Sequence, residues 1–477
     1  MNAHVRRTFY LFVAGFVALV GMMAYWQVFA RESLANDPEN ALQTRRAISV
    51  PRGLILAGDG ETVLARSVGR KTPEGTVYDR VYPQGELFSN VVGYWSTKYG
   101  ATGTEIGENS NLSGTAEPAT LDELINQMTG GPQPGNNVVL TLDPEPQRVA
   151  YEGLASSITG RGAVVAIDPK NGEILALASY PSFDPNNIDE TFPELQRDPN
   201  SPLINRATQS LYPPGSTFKV ITVAAALEAG VSPTQSFVDD GTYELPGYTV
   251  HNYKGREYGR VSFTQSLVFS INAIFAKIAV EIVGAQALAQ MAHDFGFGDP
   301  YEGFPLPVSA SNLGPPPSEW TPGTTAQTAF GQGQVSSNAF EMALVAAAIA
   351  NDGEMMEPRL VREIRSPDGI ILDKPTPSVR HEPLPAQTAR ELNEMMQRVV
   401  TEGELTVAEV PGVKVAGKTG TAESGNGPPH SWWISFAPAD DPEIAVCAMV
   451  ENGGEGDDAA LPIADAVIEA YLKGGAG

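Results

Sequence analysis

The 477-residue sequence is poor in the residues that build disulfides, metal centres and nucleic-acid surfaces. Its single cysteine, Cys447, excludes an internal disulfide and a thiolate metal cluster. That residue lies in the apolar run EIAVCAMV and reads as inert packing in a buried strand. Of the five histidines, His251, His293, His381 and His430 are scattered, and none has the H-E-x-x-H spacing of a zinc site. A nucleophile elbow, G-x-S-x-G, is also missing, which removes the usual Ser-His-Asp hydrolase pattern. No metal and no cofactor are implied. Only 31 Lys and Arg stand against 56 Asp and Glu, a net charge of −25 without a basic patch, so nucleic acid and anionic surfaces are repelled. With 42% hydrophobic and 18% charged residues the chain is nonetheless globular in composition, and its length calls for two or more domains. No internal repeat or low-complexity tail is found.

One long apolar run is present. Phe9 to Phe29 carries no charge and is long enough to cross about 30 Å of hydrocarbon. Arg6 and Arg7 precede it and Glu32, Asp37 and Glu39 follow, an asymmetry that predicts a cytoplasmic N-terminus and an exported body. Val28-Phe29-Ala30 would suit signal-peptide cleavage, but the length of the run and the belt-like Tyr25 and Trp26 favour a retained anchor. A single pass excludes a pore or transporter built by this chain alone. The expected organisation is a cytoplasmic tip and anchor (1–30), a linker and β-rich N-terminal module (31–137), and a main domain (138–477).

In the module, GLILAGDGETVLARS places an Asp59-Gly60 turn between apolar stretches. From Val138 the pattern tightens. NNVVLTLDPEPQRVAYEGLASSI predicts a strand, an Asp143 cap, Pro144 at the first helical position and a helix. GAVVAIDPKNGEILALASYP predicts two strands joined at Asn171-Gly172. Antiparallel strands beside helices, without βαβ alternation, point to an α+β fold. The Pro-rich stretches 305–322 and 366–386 read as loops within it.

The chemistry concentrates at YPPGSTFKV, residues 212–220. STFKVITVAAALEAGV is apolar almost all round, which predicts a buried helix ended by Gly230, with Ser216 and Lys219 on one face of its first turn. A serine hydroxyl is a weak nucleophile until its proton is taken, and a lysine takes it only when burial or a second cation lowers the amine's pKa. Lys418, in VKVAGKTGTAES, is the candidate cation. There Val413–Ala416 reads as the start of a strand, and Gly420 marks a close backbone approach. Such an edge can take up an extended peptide, with Lys418 and Thr419 meeting a carboxylate. Ser270-Ile271-Asn272 lies inside a second apolar helical stretch, SLVFSINAIFAKIAVEIV, where polar side chains must be paired or face a cleft.

Each motif alone also fits a plain structural reading, such as a helix cap with a surface lysine for Ser216 and Lys219. Ser216 is the only serine three residues before a lysine, and K-T-G occurs once, whereas S-x-N recurs at Ser336-Ser337-Asn338 and Ser424-Gly425-Asn426. The order S-x-x-K, S-x-N, K-T-G within one α+β domain carries the specificity.

On these motifs the chain resembles the penicillin-binding proteins, and among them the class B monofunctional D,D-transpeptidases. The resemblance spans PRGLILAGDGETVLA, VVAIDPKNGEILALASYPSFDPN, NRATQSLYPPGSTFKV, GQGQVSSNAFEMALVAAAIANDG, GKTGTAE and SWWISFAP in the family's order. It places Ser336 in a packing helix rather than the site. AGDG stands where a D-R-N-G form is common, and Ser431-Trp432-Trp433 replaces Ala-Trp-Phe; neither touches the chemistry.

The resemblance implies a penicillin-binding/β-lactamase-like domain, an antiparallel sheet flanked by helices with an α-rich subdomain, plus a small β-rich module and one transmembrane helix. It also implies that Ser216 attacks the D-Ala-D-Ala bond of a stem peptide, with Lys219 as base aided by Ser270 and Asn272. The amides of Ser216 and Thr421 would form the oxyanion hole, and Lys418, Thr419 and Gly420 would hold the donor. β-Lactams are the implied inhibitors and a multi-pass membrane glycan polymerase the implied partner. A β-lactamase or β-lactam sensor of the same fold, and a non-catalytic wall scaffold, are the alternatives.

Overall fold

The computed structural model describes residues 3–24, 48–73, 75–116, 133–403, 405, 410–425 and 427–474. Its contacts divide the chain into two compact units, residues 1–51 with 68–79, and residues 52–67 with 80–477.

In the first unit the helix α1 (Ala3–Ala24) covers most of the expected span, with Phe9, Tyr10, Leu11, Phe12, Phe16 and Leu19 exposed. The remainder of that span, 25–29, and most of the expected linker lie outside the described residues. Among the described residues no single helix is long and apolar enough to cross a membrane.

The second unit begins with β1 (Ile55–Leu56), which pairs antiparallel with the start of β2 (Val63–Thr72) across the Asp59-Gly60 turn. Gly60 has φ +70°, and the Asp59 carboxylate accepts the amides of Glu61 and Thr62, the local chemistry that makes Asp-Gly a turn. On its other side β1 runs parallel to β3 (Asn137–Leu140), which in turn pairs antiparallel with Val361–Arg365. The small sheet thus draws strands from both sides of residue 137 and from far downstream. Short helices at Ser89–Val92, Thr104–Gly107 and Asn109–Leu112 accompany it, so the segment is less purely β than its glycine-punctuated pieces suggest. Glu105, fully buried, is compensated by Arg52 (3.0 Å) and Arg80 (2.6 Å), as a buried charge requires.

The helix α2 (Pro144–Ser156) starts as expected, with Asp143 accepting the Glu145 amide and Pro144 in the first turn. The strands β4 (Gly162–Ile167) and β5 (Ile174–Tyr180) form the expected hairpin, through a loop wider than Asn171-Gly172 alone. Next come α3 (Lys219–Glu228), α4 (Phe263–Val268), α5 (Asn272–Ile278) and α6 (Ala339–Ala350). Asn338 caps α6 and Ser336 bridges to Asn312 just before it, so Ser336 precedes the packing helix rather than lying in it. The stretch 366–386 holds two short strands, Ile371–Asp373 and Val379–His381, too brief to show a period in sequence.

The chain closes with β6 (Ala416–Ala422), β7 (His430–Ala437), β8 (Ile444–Val450) and α7 (Ala460–Gly474). These strands join β4 and β5 in one antiparallel sheet of order β6-β7-β8-β4-β5. Alternation assigns its faces. Ile444, Val446, Ala448 and Val450 pack with α2 and α7, whereas Ala445, Cys447 and Met449 join the core that holds α3 and α6. Both faces are covered, which is why β8 reads as a continuous apolar run. β6 is left at an edge.

Candidate active site

Residues Gly215–Phe218 form a single 3-10 turn that leads into α3. The expected α-helical first turn is therefore tighter than predicted, and Ser216 and Lys219 eclipse each other at i and i+3. Gly215 has φ +56°, and a Cβ there would lie 2.8 Å from the Thr421 carbonyl oxygen of β6, so glycine is required twice over. Its amide donates to Gly331 O at 2.9 Å, and Thr217 Oγ1 donates to Pro214 O at 2.7 Å. The nucleophile turn is thus fixed on both sides.

Residues 266–283 do not form the continuous helix expected. α4 stops at Val268, and Ser270 adopts φ +55° before α5 begins at Asn272. The Ser270 amide donates to Leu267 O and the Ile271 amide to Ser266 O, the paired bonds of a Schellman ending. A serine in this left-handed position costs about 1–2 kcal/mol, and it turns carbonyl and hydroxyl together toward Lys219.

Lys219 Nζ lies 2.7 Å from Ser270 O, 3.0 Å from Ser270 Oγ and 2.7 Å from Asn272 Oδ1. The carbonyl and the amide oxygen can only accept. A neutral amine meets both with its two hydrogens and keeps a lone pair for a hydroxyl proton. Electrostatics agree with that state. Lys219 is fully buried, and its burial first, then the charge of Lys418, hold its pKa well below the ordinary lysine range.

Lys418 is almost as deeply buried on β6, with Nζ 3.1 Å from Thr419 O and 3.3 Å from Thr419 Oγ1. Burial pulls its pKa down to about 7, while the charge of Asp457 acts in the opposite direction. A Cβ on Gly420 would stand 2.8 Å from Thr217 Cγ2 and 2.9 Å from Pro214 O. The close approach predicted for Gly420 is therefore between the edge strand and the nucleophile turn. The strand itself starts at Ala416, so Val413–Val415 precede it rather than belonging to it.

Ser216, Ser270, Asn272, Thr419 and Thr421 line one cleft of about 680 Å³. All eight residues singled out in the sequence converge on this region. Sequence reasoning missed its rim. Tyr253 and Lys254 both donate to Glu455 Oε1, at 2.5 and 3.0 Å, and Asp457 and Glu423 add further carboxylates to the lining. Gly456 sits between Glu455 and Asp457 and donates its amide to Thr421 Oγ1 at 3.3 Å. These residues come from loops whose spacing carries no recognisable signal.

Residues 162–470 match the penicillin binding protein transpeptidase domain, and residues 52–138 the penicillin binding protein A dimerisation domain. The peptidoglycan D,D-transpeptidase PbpA of Mycobacterium tuberculosis (strain ATCC 25618 / H37Rv) is 38% identical over 99% of this chain and 100% of its own length. PbpA of Mycolicibacterium smegmatis is 37% identical over the full length of both. A ceftriaxone acyl-enzyme structure of M. tuberculosis penicillin-binding protein A superposes with a TM-score of 0.83 at 36% identity, over 90% of this chain and all of that one. The chain belongs to the penicillin-binding protein transpeptidase family.

Proposed function

We propose that this chain is a peptidoglycan D,D-transpeptidase that cross-links stem peptides through an acyl-enzyme on Ser216. The observation that carries the reading is the buried Lys219 amine, three residues after the serine and held by two obligate acceptors, Ser270 O and Asn272 Oδ1. Ser216 Oγ bonds to the carbonyl carbon between the two terminal D-alanines, its proton passing to Lys219. The scissile C–N bond then breaks, and the proton leaves with the departing D-alanine amine. An amine of a neighbouring stem attacks the ester and forms the new C–N bond, the C–Oγ bond breaks, and a proton lost by that amine passes through Lys219 to the serine oxygen. The amides of Ser216 and Thr421 receive the oxyanion, a contribution of about 3–4 kcal/mol per donor. Lys418 and Thr419 hold the donor carboxylate, and β6, at the sheet edge, pairs with the extended donor backbone beside Gly420. β-Lactams enter the same cleft and acylate Ser216.

The charge-free run Phe9–Phe29 behind Arg6 and Arg7 anchors the protein once in the cytoplasmic membrane, with the catalytic domain outside. Its partner is a multi-pass membrane glycan polymerase meeting the anchor and the N-terminal module. Both are tested in cells, by protease accessibility of the catalytic domain and by co-purification with the polymerase.

The activity is tested by incubating purified protein with a pentapeptide donor and an amine acceptor. D-Alanine release with a cross-linked product, both lost in Ser216→Ala, is the expected result. Rapid β-lactam hydrolysis without cross-linking, or Ser216→Ala retaining activity, overturns the reading.

A further inference from the structure

The first residue after β8 is Glu451, a buried carboxylate that is not part of the cleft. Its two oxygens have different partners. Oε1 receives the Tyr212 hydroxyl at 2.5 Å and Arg206 Nε at 2.8 Å; Oε2 pairs with Arg161 at 2.7 Å. Arg206 is itself fixed, donating to the Ser201 and Asn200 carbonyls. Tyr212 opens the nucleophile turn, four residues before Ser216. Its backbone makes a two-way bridge with Ser337, 2.8 Å in each direction, and its ring meets His430 and Trp432 of β7 edge-on at 5.2 and 6.4 Å.

The chain leaving Glu451 controls the other wall. Asn452 donates its amide to His430 Nδ1 and its side-chain amide to Pro428 O, and four residues later Gly456 lies on β6. A Cβ on Gly456 would stand 2.9 Å from both the amide nitrogen and the carbonyl oxygen of Gly420, and its amide bonds Thr421 Oγ1. One carboxylate therefore ties the segment carrying Ser216 to the root of the loop that seats Thr421.

We propose that Glu451 is a positioning residue for acyl transfer: through Oε1 and the Tyr212 hydroxyl it sets the distance between the Ser216 amide and the Thr421 amide. The two donors of an oxyanion hole lie on separate elements here, so their spacing depends on such a tie. The contact through Oε2 stabilises the fold without reaching the nucleophile. This assignment rests on the acyl-enzyme reading above, and a wild-type protein that takes no label refutes that reading itself.

The test separates the two oxygens with a fluorescent penicillin, resolving the saturating acylation rate k2 from the binding constant Ks, alongside thermal melts. Tyr212→Phe removes one oxygen atom and is expected to lower k2 about tenfold with Ks unchanged. That is less than the 10²–10³ expected when a donor itself is lost. Arg161→Gln breaks only the Oε2 contact and is expected to lower Tm while keeping k2 within about threefold of wild type. Glu451→Ala removes both oxygens, so it is expected to lower k2 at least as far as Tyr212→Phe and to lower Tm as Arg161→Gln does. The proposal is overturned if Tyr212→Phe acylates at the wild-type k2. It is equally overturned if Arg161→Gln loses as much k2 as Tyr212→Phe, since the effect then follows overall stability, or if Glu451→Ala keeps the wild-type k2.

Discussion

Gly420→Ala probes the contact on which the site's geometry depends. The added Cβ would stand 2.8 Å from Thr217 Cγ2, 2.9 Å from Pro214 O and 2.9 Å from Trp432 Cβ. Carbon atoms pack best at about 3.5–4.0 Å, so all three contacts need relief of roughly 0.5–1 Å. One is a backbone oxygen and another a Cβ, and no rotamer change moves either. Gly456 also lies close to Gly420, since a Cβ added to Gly456 would stand 2.9 Å from the Gly420 amide nitrogen and carbonyl oxygen, so the strand is closely packed there. The strain should cost about 1–3 kcal/mol of stability, as overpacking does. More tellingly, it drives β6 away from the nucleophile turn, and a misplacement of about 1 Å lowers a reaction rate by up to 10²-fold. Stopped-flow acylation by a fluorescent penicillin should therefore slow by between about ten- and a hundredfold, with Tm down by only a few degrees. Acylation within twofold of wild type would show that the turn and the strand are not coupled at Gly420, and the reasoning would be wrong.

Ser270→Gly suits the φ of +55° better than serine and keeps the carbonyl that accepts from Lys219, but removes the hydroxyl. Tm should hold or rise while k2 falls about 10²-fold, in the range of lost acid–base assistance; an unchanged k2 would remove Ser270 from the proton path. Lys418, at about 7, must be protonated to hold a carboxylate, whereas Lys219, held low, must be neutral. The ratio k2/Ks for a carboxylated penicillin should thus fall as pH rises above about 7, and a flat profile to pH 9 would contradict the role of Lys418. Asp465 is buried with no hydrogen-bond partner for either carboxylate oxygen, and burial pushes its pKa up to about 7. Between its ordinary value and 7 the folded state binds the extra proton, so stability should fall as pH rises through that window, by on the order of 2–4 kcal/mol. Asp465→Asn should remove that part of the slope in urea melts across pH 4–8, leaving the part due to Glu341, also raised to about 7 by burial. An unaltered slope would refute the assignment.

The parts of this site that were legible in the sequence are those fixed by local rules. Asp143-Pro144 and Asp59-Gly60 acted where they stood, because caps and turns depend on a few adjacent residues. Ser216, Lys219 and Gly420 were legible because spacing and motif order constrain them jointly. The break at Ser270 was hidden by an unbroken apolar run, since a left-handed serine leaves no compositional trace. The pairing of β3 with Val361–Arg365 spans more than two hundred residues, and no local period announces it. Glu451, Glu455 and Gly456 owe their positions to such long-range packing, so their part in shaping the site emerges only from the folded chain.

The most direct measurement is peptide mapping of the penicillin-treated protein by mass spectrometry. A single added penicilloyl mass on the peptide containing Ser216, absent from Ser216→Ala and persisting for hours, is the predicted result. Unchanged mass, or attachment to any other residue, would contradict the claim that a buried neutral Lys219 arms this serine.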